Sequence, residues 1–384
     1  MKKFEIFLLL SSFVAVVLIL SGCMKVQSGF SSIDAVKSFD LVNPQNPMSF
    51  GQIYSSPAIF NGKIFIGGQR GLFVISSTAS WCYSSNAAVY SSPSIDATND
   101  IVFAGNNEGQ LIYASYPFTN YKTMMVSYYP LISSPLIING NIYVIDNYGN
   151  IFKISESGME KTYLSTIGGG GSGIWASPVT NGFNLFVGSD NGIFYAVSLN
   201  SGNVVWQYQT WGPIYGTAAI GVNGNIYVGS DGLYSFTQNG ALRWENPLDG
   251  SQIYASPVIS QNGIIYVGTT MGEFYAVNSQ NGQTIWSINL GTPEGGILSS
   301  ALIGNDEIYV ESGYNFYEID PSNGDILSYV DVGYNVESNP AFYNGKIYFG
   351  CDNGRFYEIS ISGFMAAGGW PMFMHDICHT GRQS

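Results

Sequence analysis

Charge is scarce in this chain. Asp, Glu, Lys and Arg make up 10% of its 384 residues, and 13 basic side chains face 26 acidic ones for a net charge of −13. That balance excludes nucleic acid and electrostatic attachment to anionic lipid as partners. Histidine is scarcer still, confined to His375 and His379, and none of the four cysteines adjoins another. Long apolar runs are missing beyond Ile6–Leu20, which is too short and too promptly interrupted for a stable membrane span. No apolar stripe of 3.6-residue period lies near the strand-like segments, so helical arrays are excluded as well.

Lys2 and Lys3 precede that apolar run, which therefore reads as a secretory signal over residues 1–22. It ends in Leu20-Ser21-Gly22-Cys23, which resembles the lipobox of bacterial lipoproteins. The resemblance implies cleavage before Cys23 and lipidation of its thiol, so that acyl chains and not a helix anchor the mature protein. Processing removes two positive charges and one negative, turning −13 into −14. Residues 23–33 are expected to form a tether, with Met24 to Ser32 rich in Ser and without strong pattern. The expected location is the outer membrane or cell surface of a bacterium.

What the chain has in abundance is a repeated phrase. Ser56-Pro57, Ser92-Pro93, Ser134-Pro135, Ser177-Pro178, Thr217-Ala218, Ser256-Pro257, Ser300-Ala301 and Asn339-Pro340 follow one another at 36, 42, 43, 40, 39, 44 and 39 residues. Periods near forty, with runs such as IYVIDN, IYVGSD and IYFGCD, suit β-propeller blades. Three kinds of turn divide each period. Asn61-Gly62, Asn139-Gly140 and Asn223-Gly224 exemplify the first, Asp190-Asn191-Gly192 and Asp352-Asn353-Gly354 the second, and Ser201-Gly202, Asn239-Gly240, Asn281-Gly282 and Asn323-Gly324 the third. Three turns join four antiparallel strands, so the expected fold is all-β, an eight-bladed propeller over residues 34–362. Trp206, Trp244, Trp286 and Trp81 open fourth strands and are expected to fill the wedge between neighbouring sheets.

The last repeat lacks an obvious fourth strand after Phe356–Ile359. The segment Ala35–Val42 is expected to supply it and so join the chain ends; the competing reading puts Trp370 there, although Pro371 would confine it to an edge. Residues 363–384 are read as a tail that packs on the propeller. His375, Asp376, Cys378 and His379 fall within one short stretch of it, which raises a metal site as the alternative. The favoured reading is structural, with Trp370 and Phe373 plugging the propeller's end and polar side chains capping turns. The sequence also leaves open a Cys351–Cys378 disulfide.

The blade phrase Asn225-Ile226-Tyr227-Val228-Gly229-Ser230-Asp231-Gly232-Leu233-Tyr234-Ser235-Phe236, continued to Trp244, resembles the pyrroloquinoline quinone (PQQ)-type repeat, and recurs over about residues 50 to 360. The tail WPMFMHDICHTGR resembles a phrase found in bacterial and archaeal proteins of the same class. Among lipoproteins the chain is similar to the BamB family, which implies a non-catalytic scaffold in outer-membrane β-barrel assembly, without cofactor. The same repeat also implies an alternative, a PQQ-dependent dehydrogenase of alcohols or sugars. Such enzymes are expected to hold an ion with carboxylate and Asn ligands, and often have a disulfide between adjacent cysteines. Neither feature is visible here, and Arg70, Arg243 and Arg355 are the nearest cations for the quinone's carboxylates, with Arg70 and Arg355 on one face. A glycan-binding surface rich in Tyr and Asn is a further alternative.

Second turns and inter-blade links emerge on one face, around the mouth of the central channel. Met124, Met125, Tyr128, Tyr129, Trp211 and Tyr215 on those links are the expected contacts to envelope proteins, because aromatic and Met anchors dominate interfaces.

Overall fold

The computed structural model describes residues 26–28, 33–40, 52–76, 80–83, 87–168, 173–291 and 295–382. Cys23, with the signal and lipobox, lies outside them, as do Gly169–Ser172 and Thr292–Glu294. Among the described residues every regular element is a strand, and the strands form eight antiparallel sheets. From the axis outward the first blade is Ala58–Phe60, Lys63–Gly68, Gly71–Ile75 and Ser80–Tyr83. The inner strands of blades 2 to 8 are Ser94–Asp96, Leu136–Ile138, Val179–Thr180, Ala219–Ile220, Val258–Ile259, Leu302–Ile303 and Ala341–Tyr343. The chain is an eight-bladed β-propeller.

The chain ends meet in blade 8. Ile33–Asp40 lies outside Arg355–Ile361, with Phe39 opposite Phe356 and Val36 opposite Ile359. Trp370 is elsewhere, paired with Ile259 on the inner strand of blade 6. The stretch read as an unpatterned tether carries a strand of its own, since Val26–Ser28 adds to the outer edge of blade 7 along Ser328–Val330. An outer strand leaves a row of N–H and C=O groups unpaired, and a neighbouring extended segment satisfies them whatever its side chains.

Two sequence features lock blade to blade. The rings of Trp206, Trp244 and Trp286 lie beneath the third turn of the following blade, and their indole N–H groups donate to Gln238 O, Ser279 O and Pro321 O at 2.9, 3.2 and 3.0 Å. A Cβ at Gly240, Gly282 or Gly324 would come within 2.5, 2.6 or 2.8 Å of the ring below, and all three have φ between +75° and +86°. Glycine is thus demanded twice over at these turns, by backbone and by ring.

The second feature is at the inner rim. A Cβ on Gly67, Gly105, Gly188, Gly229, Gly268 or Gly350 would strike Val89, Leu131, Ile214, Ile253, Ile297 or Ile53 of the neighbouring blade at 2.0 to 2.7 Å. Those apolar side chains fill the space that the missing Cβ leaves. Blades 3 and 7 break the rule with Ile145 and Glu311, both fully buried.

Candidate functional site at the mouth of the propeller

Each blade is entered through a four-residue link with one pattern: an apolar residue in the seam, a collar residue, a small residue, then the anchor, a Ser or Thr in seven blades and Asn339 in blade 8. In blade 1 these are Ile53, Tyr54, Ser55 and Ser56. The collar residues Tyr54, Tyr90, Ile132, Trp175, Tyr215, Tyr254, Leu298 and Glu337 and most of the anchors surround one cavity of about 680 Å³. Phe373, on the tail, also lines it. The repeat therefore turns a two-residue spacing in sequence into two stacked rings around the axis, a mostly aromatic collar above and a mostly hydroxyl belt below.

The hydroxyl ring is a belt of hydrogen bonds. The amide of Ser56 donates to Ser92 Oγ, Ser134 to Ser177, Ser177 to Thr217 and Thr217 to Ser256, at 2.8 to 3.0 Å. Asn339 closes it. Its Oδ1 accepts from the Ser300 amide at 2.6 Å, while its own amide and Nδ2 donate to Ser56 Oγ at 3.1 and 2.8 Å. A longer amide side chain can serve both neighbours at the seam where the chain ends meet. Ser134 Oγ and Ser300 Oγ are buried without a partner.

Below the belt the tail threads the channel. Inner strands expose N–H groups toward the axis, and tail carbonyls accept them: Trp370 O from Ile259, Pro371 O from Ile303, Ile377 O from Ile59, Cys378 O from Ile95 and Gly381 O from Thr180, at 2.7 to 2.9 Å. Trp370, Met372 and Met374 are almost wholly buried there. His379 is buried, with Nδ1 2.7 Å from Pro93 O, and burial holds its pKa down at about 4. Asp376 accepts from the amides of Cys378 and Thr380 and from Thr380 Oγ1. These polar groups thus shape the tail. Among the described residues no three His, Cys, Asp or Glu side chains are grouped to hold a metal.

Cys82, Cys351 and Cys378 are free thiols. The disulfide left open between Cys351 and Cys378 is not formed: Cys351 sits in a second turn at the mouth, 3.1 Å from Asn335 O, whereas Cys378 runs beside Ile59 in the channel. Burial pushes both thiols up to about 12, where they are poor nucleophiles.

The expected contact residues divide. Tyr128 is 97% and Trp211 92% exposed, and Met125 and Tyr129 also face solvent, with Tyr129 stacked on Tyr148 at 4.5 Å. Met124 and Met125 lie not on a link but in the outer strand of blade 2, Lys122–Met125, where Met124 is half-buried against the blade 2–3 core; Tyr215 is half-buried in the collar, edge-on to Tyr254 at 4.7 Å. Sequence reasoning missed the rest of the collar, although Tyr54, Tyr90, Trp175 and Tyr254 stand, like Tyr215, two residues before their anchors. Arg243 is fixed between blades 5 and 6 by Ser235 Oγ, Ser279 O and Gln280 O.

A family model described as "Outer membrane protein assembly factor BamB" matches residues 125–208 and 210–363. The chain is 22% identical over 342 residues to the outer membrane protein assembly factor BamB of Moranella endobia, covering 80% of this chain and 86% of that one. It is also 24% identical over 280 residues to a polyvinylalcohol dehydrogenase of Sphingopyxis sp., covering 60% of this chain but 41% of the enzyme. The crystal structure of BamB from Moraxella catarrhalis superposes with a TM-score of 0.66 at 14% identity, over 89% of this chain and all of that one, a likeness of fold.

Proposed function

The chain belongs to the family of the outer membrane protein assembly factor BamB, and from that premise we propose that it is a non-catalytic scaffold of the cell envelope, tethered through a lipidated Cys23, that binds proteins engaged in outer-membrane protein assembly. The observation that carries this reading is the mouth face. It presents Trp211 and Tyr128 almost fully to solvent, with Met271, Tyr334 and the aromatic collar on the same face. Exposed aromatic side chains on links, with Met271 on a second turn, all held by a rigid ring, are what an interface anchor requires.

The dehydrogenase alternative meets a chemical obstacle at the same place. PQQ carries three carboxylates, and among the described residues the cavity lining contains no Lys, Arg or His and one carboxylate of its own. The site does not fit the cofactor. Affinity capture from detergent-solubilised envelopes tests the proposal: envelope assembly proteins should be retained by the mature chain and lost in a Trp211→Ala, Tyr128→Ala double variant. Dye-linked oxidation of an alcohol or sugar after reconstitution with PQQ and calcium would reverse the conclusion.

A further inference from the structure

We propose that the mouth cavity is the receptor for a basic side chain, arginine or lysine, carried on an extended segment of a polypeptide partner. The inference deepens the scaffold reading and rests on it. Seven of the eight collar positions are aromatic or aliphatic, and the eighth is Glu337. The fold thus sets one carboxylate into a ring of Tyr and Trp faces, next in order to Tyr54, which meets Tyr90 edge-on at 5.5 Å. A guanidinium or ammonium group gains there twice, from the carboxylate and from ring faces that attract cations.

The electrostatics are one-sided. No Lys, Arg or His lies in the described lining, and burial, with the nearby charge of Asp352, pushes the Glu337 carboxyl up to about 7. Asp352 Oδ1 is itself buried without a partner. An arriving cation would supply the compensation that this end of the cavity lacks. At about 680 Å³ the cavity also has room for more than one side chain, within the roughly 300–1,000 Å³ of ligand sites. The hydroxyl of Ser134, a residue 1% exposed, stands in the wall unpartnered and can bond a peptide group of the incoming segment. Aliphatic Ile132 and Leu298 complete a wall suited to a peptide's apolar stems.

Isothermal titration of the mature chain with the capped peptides Gly-Gly-Arg-Gly-Gly and Gly-Gly-Gln-Gly-Gly tests this. The arginine peptide should bind at least tenfold more tightly, and Glu337→Gln should abolish that preference. Tyr54→Ala should weaken the arginine peptide several-fold. Binding should also tighten from pH 6 to pH 8 as Glu337 ionises; the other titratable groups facing it are Asp352 and Tyr54, whose hydroxyl is pushed up to about 12 and stays neutral. Equal affinity for both peptides, an unchanged preference in Glu337→Gln, or tighter binding of free choline or of a neutral oligosaccharide would overturn the proposal. Capture of envelope proteins by the Glu337→Gln chain is read separately. If capture persists while the peptide preference is absent from the start, this site falls and the scaffold stands.

Discussion

Glu311→Gln puts a number on the packing of the seam between blades 7 and 8. Glu311 stands where six other blades have glycine, fully enclosed, with Ser299 Oγ donating to Oε2 at 2.6 Å and Oε1 without a partner. Burial raises its carboxyl from 4.5 to about 8. The stability that a protonated Glu311 contributes is therefore complete below pH 4.5, where the unfolded chain is protonated too, and is lost as pH rises through about 8. At about 1.4 kcal/mol per pH unit, the loss is on the order of 3 kcal/mol at pH 7 and 5 kcal/mol at pH 9. Glutamine keeps the acceptor for Ser299 and cannot ionise. Urea unfolding of both chains between pH 4.5 and 9 should show near-equal stability at the acid end and a variant several kcal/mol more stable at the alkaline end. A difference that stays constant with pH would refute the assignment of a neutral, buried Glu311.

Three further outcomes follow from the same geometry. Gly282→Ala forces a Cβ to within 2.6 Å of the Trp244 ring at φ +75°, and should cost about 2 to 4 kcal/mol in urea unfolding. Asn339→Ala removes the side chain that serves both Ser300 and Ser56 and should cost about 2 to 3 kcal/mol, lowering the melting temperature by several degrees. His379 is buried neutral with a pKa near 4, so the stability it contributes is present above pH 6.5 and lost as pH falls toward 4. Against His379→Gln, the native chain should lose on the order of 3 kcal/mol across that interval.

The architecture was legible because turn chemistry is local. Asn-Gly and Asp-Asn-Gly turns fix where strands end, and seven spacings near forty between eight anchors fix how often. The mouth was legible only in part. Tyr54, Tyr90, Trp175, Tyr215 and Tyr254 recur two residues before the anchors, but in a list of repeats that column looks like strand composition. It becomes a collar only when the blades are arranged about an axis. The anchors mark the repeat in the sequence, but that the hydroxyls of Ser56, Ser92, Ser177, Thr217 and Ser256 accept from the preceding blade's anchor amide is a contact between blades that the sequence does not display. Glu311 was invisible for the opposite reason, as one carboxylate in a column of glycines whose burial depends on the neighbouring blade. Val26–Ser28 pairs as a strand along Ser328–Val330, and backbone edges leave no signature in side chains.

The most direct test of the scaffold account is photocrosslinking in intact cells, with a photoreactive residue at Trp211 on the mouth face and, in a separate chain, at Phe183 on the opposite face. Both side chains are largely exposed, at 92% and 79%. Adducts with outer-membrane assembly proteins from the Trp211 position and none from Phe183 are the predicted result. Adducts from Phe183 alone, or from neither position, would contradict it.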